Sequence, residues 1–255
     1  MLAILSLFMI LLGAALGSFA NVVIIRLKSQ ESLMGRSHCV FCKRTLNVLD
    51  LVPVLSWVFL RGKCRSCQKA IHWQYPVVET TMAVLTLVAF LRYLENPSGN
   101  FWTLGFEIAL IFVLLVLTVF DLRWKLIPME FLIASTIVLS IWRFLLGVHW
   151  LQIVLGAFAL AFVLGLIVFV SRGMLMGDGD PYVGLFMGSV LGFPLSFIGL
   201  LLSFIIGGSV AAALLIQGSV TRKTQVPFVP FLAAGTIIAY WWSVPLELIF
   251  RYAFF

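Results

Sequence analysis

Phe101-Trp-Thr-Leu-Gly-Phe-Glu-Ile-Ala-Leu-Ile-Phe-Val-Leu-Leu-Val-Leu-Thr-Val-Phe120 is the stretch that decides the fold, and Asp121 follows it directly. A nearly unbroken apolar run of this length is what an α-helix needs to cross a hydrocarbon layer roughly 30 Å thick. Working outward, comparable runs occur at residues 2–25, 77–94, 131–146, 151–170, 183–197, 198–216 and 228–246. The fold class is therefore an all-α integral membrane protein with about eight transmembrane helices. The runs at 131–146 and 183–197 are the shortest of the eight.

Composition agrees. The chain is 62% hydrophobic and 11% charged, whereas soluble domains carry roughly a quarter of charged residues. The first run lacks a basic leading segment, exceeds the length of a signal-peptide core and has no small-x-small cleavage site, so it reads as an anchor. There is no internal repeat and no low-complexity linker.

The one long polar stretch, residues 26–75, holds all four cysteines as Cys39-Val-Phe-Cys42 and Cys64-Arg-Ser-Cys67. Each C-x-x-C pair forms a knuckle that points two thiolates at one ion, so the four together suit a closed, structural zinc site. The alternative is four reduced thiols without metal. His38 and His72 flank the pairs, but four thiolates already complete a tetrahedron, and both histidines are expected to meet solvent or headgroups. Between the knuckles, residues 49–60 are apolar and suit a piece lying on the membrane, with Pro53 forbidding one unbroken helix.

Eight spans place residues 26–75 on the same side as the loops near Asp121, Arg172 and Arg222. Every Lys and Arg except Arg92, Arg143 and Arg251 then falls on that side. The positive-inside rule makes it the cytoplasm and puts both termini outside. A reducing compartment keeps cysteines available for metal. The net charge of +7 reflects this bias together with anionic membrane lipid, and no nucleic-acid partner is implied.

Carboxylates inside a membrane are costly, so each asks for a reason. Glu79 and Glu107 are expected to face the bundle interior, with a headgroup or a helix partner for Glu107. Asp121 opens Asp121-Leu-Arg-Trp-Lys-Leu-Ile-Pro128, and Asp178 and Asp180 lie in Met176-Gly-Asp-Gly-Asp-Pro181. By the topology above both segments reach the cytoplasmic face, where two aspartates can meet. Close carboxylates resist ionising together, which leaves one as a base for water and one as an acid. The blander alternatives are an N-cap at Asp180 followed by proline, and a solvated pairing of Asp121 with Arg123 or Lys125. Asp180 at a helix start and Asp121 at a helix end would make Asp180 the base and Asp121 the proton carrier.

Several motifs in order resemble the type IV prepilin peptidase family of membrane aspartyl proteases. Gly17-Ser-Phe-Ala-Asn-Val-Val-Ile-Ile-Arg-Leu27 is similar to its opening motif, and the two knuckles and Tyr75-Pro-Val-Val-Glu79 follow. Asp121 with Pro128 resembles its first catalytic segment. Gly177-Asp-Gly-Asp180 fits its GxGD motif, and Pro227-Phe-Val-Pro-Phe-Leu232 its final one. The resemblance implies catalytic Asp121 and Asp180, with Asp178 an accessory charge. It further implies cleavage of the leader from prepilin or pseudopilin substrates at the bacterial cytoplasmic (inner) membrane. N-methylation of the new terminus with S-adenosylmethionine is implied as well. The matching division is 1–25 as first span, 26–75 as the cysteine module associated with methyl transfer, and 76–255 as peptidase domain. Tyr182 stands where the family usually has lysine, and Met129 where it has an acid. Two rivals differ in class. A zinc protease is disfavoured because no H-E-x-x-H occurs and four thiolates leave no open position; a transporter or assembly scaffold with a zinc-stabilised module predicts no cleavage of a leader peptide.

Overall fold

A computed structural model describes residues 1–95, 100–174, 176–218 and 226–243. The expected cytoplasmic loop at Arg222, the basic residue Arg251 and positions 244–246 of the last apolar run lie outside the described residues. Each of the eight runs forms a helix. They are α1 (Leu2–Ser29), α3 (Gln74–Glu95), α4 (Phe101–Trp124), α5 (Met129–Leu145), α6 (Trp150–Ser171), α7 (Asp180–Leu191), α8 (Leu195–Ile216) and α9 (Val229–Trp241), with a short α2 (Leu55–Phe59) in the polar stretch. Five of these, α1, α3, α4, α6 and α8, are long and apolar enough to cross a membrane among the described residues.

The boundaries explain the difference from eight. The run at 183–197 stops as a helix at Leu191, because Gly192 takes φ 76° and Pro194 follows. What remains is a 12-residue helix, about 18 Å long at 1.5 Å per residue. Its residues from Val183 to Leu191 are buried apart from half-buried Leu185, and it packs against α5, α6, α8 and α9. A short helix apolar all round belongs in the middle of a bundle, and α7 lies there.

The chain divides into two compact units, Met1–Val116 and Leu117–Phe255, with the division inside α4. In the first unit α1 packs along α3. A Cβ at Gly13 would lie 2.7 Å from the Ala83 Cα, and one at Gly17 2.6 Å from the Glu79 Cα. Gly13 and Gly17 form a G-x-x-x-G pair, which lets two backbones touch where lipid offers no hydrophobic drive for association. At the foot of the pair, Asn21 Oδ1 accepts from Gln74 Nε2 at 3.0 Å, and Asn21 Nδ2 donates to the Tyr75 carbonyl at 3.2 Å. Arg92 and Glu107 meet at 3.6 Å, so Glu107 has the helix partner expected for it.

The polar stretch leaves α1 through Arg26. Its buried guanidinium donates to the carbonyls of Ser32, Met34, Gly35 and Arg36 at 3.0–3.3 Å. The apolar middle is broken as Pro53 requires, into a 3-10 turn at Val48–Asp50 and the five-residue α2. Val48, Leu49, Leu55, Val58 and Phe59 are exposed on it.

In the second unit small residues again set the crossings. Gly188 packs so closely on Gly156 that a Cβ would overlap the Gly156 backbone and lie 2.8 Å from the Ala157 Cα. Gly184, one turn earlier, leaves only 2.6 Å to Leu164 Cδ1, and Gly235 of α9 sits against Ser203 and Gly199 of α8. Hydroxyls buried between helices close on their own backbones, as Ser203 and Thr236 do at 2.7 Å.

Overpacking a filled interface costs about 1–3 kcal/mol. Gly188→Val is expected to lower the thermal unfolding midpoint of the purified protein clearly. Gly165→Ala, whose Cβ meets nothing within 4 Å, should leave it unchanged; thermal denaturation in detergent reads both.

Candidate functional site

The two segments that carry aspartates come together within the second unit. Asp121 lies in the last turn of α4 and is buried, 7% exposed. Its Oδ2 accepts the backbone N–H of Val229, first residue of α9, at 3.1 Å. Asp180 is the first residue of α7 and is 5% exposed. Its Oδ2 accepts the Gly177 N–H at 3.0 Å. The two carboxylates lie within electrostatic range of each other, so removing a proton from one is felt by the other.

Local sequence explains the placement. Pro181 sits in the first turn of α7, where its missing N–H costs nothing. Gly179 caps the helix without a side-chain bond, so Asp180 is not the N-cap. Its carboxylate turns back to Gly177 instead. A Cβ at Gly179 would overlap the side chain of Ile127, which joins the glycine-aspartate loop to the segment after Asp121. Asp178 is exposed and points toward Gly173. Tyr182 is also exposed, and Met129 opens α5.

One expectation fails here. Asp121 follows the end of α4 in sequence, yet its carboxylate meets the start of another helix, since Val229 opens α9. Asp180 receives the Gly177 N–H from the loop before α7 and Asp121 the Val229 N–H at the start of α9, so the contrast of helix start against helix end that made Asp180 the base and Asp121 the proton carrier is absent. Nor is Asp121 in a solvated loop. Val229 was beyond reach of sequence reasoning; only the Pro227–Leu232 motif hinted that α9's start belongs to the site.

The four thiols also come together. All four Sγ atoms lie within 4.8 Å of one another, and Cys39 and Cys67 are 3.9 Å apart. Sulfurs held about 2.3 Å from a tetrahedral ion are about 3.8 Å apart, so the cluster fits a metal. No cysteine is in a disulfide. The amides of Cys67 and Ser66 pull the Cys64 thiol down to about 6. For Cys67 the Lys69 amide lowers the thiol, but burial and the neighbouring thiols outweigh it and push it up to about 11. Thiols that bind a cation as thiolates release their protons when it enters.

The knuckles repeat each other bond for bond, a repeat the sequence did not disclose. Cys39 N donates to Arg44 O and Lys43 N to Cys39 O; Cys64 N donates to Lys69 O and Gln68 N to Cys64 O. Lys43 and Gln68 both take φ 56°, and bridges pair His38 with Thr45 and Lys63 with Ala70. Asp50 clamps the two copies. Arg65 Nε of the second knuckle lies 2.9 Å from its Oδ1, and Arg44 of the first lies 3.5 Å from its Oδ2 and bonds Ser66 across the gap. His72 caps α3 by accepting the Gln74 N–H, and His38 lies 3.9 Å from Glu31. Neither histidine belongs to the four-thiol group.

A third feature was only half seen in the sequence. Glu79, in the second turn of α3, is 6% exposed. Its Oε2 accepts the Val54 N–H at 2.7 Å, with the Ser18 hydroxyl beside it. Val54 holds φ 61°, which is costly for a β-branched residue.

Two family profiles match the chain. The Bacterial Peptidase A24 N-terminal domain matches residues 11–93, and the Type IV leader peptidase family matches residues 108–212. Among curated proteins, a prepilin leader peptidase/N-methyltransferase of Bacillus subtilis is 34% identical over 242 residues, covering 94% of each chain. The proteins of the same name from Aeromonas salmonicida and Pseudomonas aeruginosa are 29% and 28% identical, each covering 89% of the relative and 91% and 92% of this chain. No solved structure matches the chain.

The thiol geometry makes a direct prediction. Elemental analysis of the purified protein should find about one metal ion per chain, the stoichiometry of a four-thiolate site. The Cys64→Ser, Cys67→Ser double variant should hold none; full occupancy in that variant would place the metal elsewhere.

Proposed function

We propose that this chain, which belongs to the type IV leader peptidase family, cuts the leader from prepilin or pseudopilin substrates and N-methylates the new terminus. It is a multi-pass membrane enzyme, a peptidase with N-methyltransferase activity. In our reading α1 and α3 to α9 are eight spans of the bacterial cytoplasmic (inner) membrane. Residues 26–75 and both aspartate segments then face the cytoplasm, and both termini lie outside. The charge distribution supports that orientation, since it gathers nearly all Lys and Arg on one side.

The observation that carries the peptidase reading is the pair Asp121 and Asp180, both buried and within electrostatic range, inside the segment matched by the leader peptidase profile. Two such carboxylates do acid–base work on a peptide bond. One takes the proton of an attacking water and later gives it to the leaving amine; the other gives its proton to the carbonyl oxygen and recovers it when the tetrahedral intermediate collapses. The amides of Val229 and Gly177 fix one oxygen of each carboxylate, which leaves the second oxygen of each for water and substrate. The amides serve the two carboxylates alike, and Lys125 lies within electrostatic range of Asp121 in addition. Exposed Asp178 takes no part.

Cys39, Cys42, Cys64 and Cys67 would hold one zinc ion in a structural role, four thiolates leaving no position for substrate. Zinc there would tie the two knuckles that Asp50 already clamps. We divide the chain by activity into 1–25 as the first span, 26–75 as the cysteine module serving methyl transfer, and 76–255 as the peptidase. S-adenosylmethionine, the methyl donor implied by the family, supplies an electrophilic methyl group on a sulfonium. The donor is cationic, and the acceptor is cationic until it gives up the proton that frees its lone pair for the methyl group; buried Glu79 fits a cationic group.

Asp121→Asn and Asp180→Asn should each cut the rate of leader removal by at least the roughly 10²–10⁴-fold that acid–base groups contribute. Asp178→Asn should retain cleavage. Release of leader from a synthetic prepilin peptide by detergent-purified protein measures all three; equal loss in the Asp178 variant would break the assignment of roles.

A further inference from the structure

Glu79 is a buried carboxylate that the peptide-bond chemistry does not use. A charge at membrane depth is tolerated when it is matched, as Glu107 is by Arg92 at 3.6 Å. Among the described residues no Lys, Arg or His lies within ion-pair distance of Glu79. Its donor is the neutral amide of Val54, and that amide is held by a backbone at φ 61°. Strain of this kind persists where the surroundings enforce it, and it gathers at ligand clamps.

The surroundings do enforce it. Gly17 of α1 presses on the Glu79 Cα with no room for a Cβ, and the Asn21–Gln74 bond fixes the two helices one turn away. The carboxylate is therefore set in a rigid wall formed by α1 and α3, with the Leu55–Phe59 helix beginning just beyond its amide donor. The arrangement lacks one thing, a positive charge.

Leader removal makes such a charge. Hydrolysis of the peptide bond leaves the mature piece with a new α-ammonium, and N-methylation must then hold that nitrogen in one place. We propose that Glu79 is the subsite for the α-ammonium of the processed substrate, paired with it at Oε1 and Oε2 beside the Val54 amide. This rests on the leader-peptidase reading above and deepens it. The pairing orients the nitrogen; no bond is made or broken by Glu79 itself.

The test uses full-length protein in detergent and two peptides with the sequence that follows a prepilin leader, one with a free α-amine and one N-acetylated. Wild-type protein should bind the free amine at least about tenfold more tightly than the acetylated peptide. Glu79→Gln should bind both alike, with the affinity of wild type for the acetylated form, and Glu79→Asp should recover part of the preference. A wild-type protein without preference overturns the subsite, and so does a Glu79→Gln variant that keeps it. Loss of both peptides in Glu79→Gln, with binding unrestored in Glu79→Asp, assigns Glu79 to folding and also overturns it. Titration with S-adenosylmethionine alone separates the other cationic source: unchanged donor affinity in Glu79→Gln is expected, and its loss would give the site to the donor. Cleavage of a leader peptide by wild type is run alongside. Failure of cleavage with an intact amine preference would sink the peptidase reading and leave the ammonium subsite standing.

Discussion

Backbone contact at glycine is the constraint on which the rest of this molecule depends. Inside lipid an apolar side chain gains nothing by leaving the solvent, so helices associate through close van der Waals contact and the few polar bonds they can share. Gly13 and Gly17 give α1 its fit to α3, and Gly156 with Gly188 gives α6 its fit to α7. The second contact bears on chemistry. It locks the short helix whose first residue is Asp180, so the carboxylate starts from a rigid support although the loop before it is rich in glycine. Gly179, pressed on Ile127, adds the tie to the Asp121 segment.

The aspartates show how fixed backbone amides help a membrane interior accommodate charge, with Lys125 in electrostatic range of Asp121 as well. Each accepts a backbone N–H, from Val229 or from Gly177, and a hydrogen bond to a charged group is among the stronger ones. Fixed amides need no reorganisation when charge moves from one carboxylate to the other during reaction. The amides support both.

Much of this was legible in the residues and some was not. Long apolar runs disclosed the long helices among the described residues, five of them long and apolar enough to cross a membrane, because hydropathy and length are local properties. The helix break at Gly192 was missed, since Val190 to Phe197 stays apolar and only the turn geometry interrupts it. Paired C-x-x-C spacing disclosed the thiol cluster. Asp50, which joins the knuckles through Arg44 and Arg65, carries no such spacing signal, because its partners are set by folding and not by register. Asp121 and Asp180 were singled out by the cost of burying charge. The assignment of acid and base between them failed because it used each residue's own helix and could not see that α9 would begin at Asp121.

Arg26 has a consequence of a different kind. Its guanidinium is held by four peptide carbonyls and, among the described residues, by no carboxylate. Guanidinium keeps its proton throughout the accessible range, and a carbonyl has none to lose. Mobile ions weaken attraction between exposed opposite charges, yet here the positive charge is buried and its partners are dipoles. The joint between the first helix and the cysteine module is thus indifferent to acidity and ionic strength. A response of the enzyme to either originates in groups such as its carboxylates, thiols, histidines or lipid, and not in the hinge from which the module hangs.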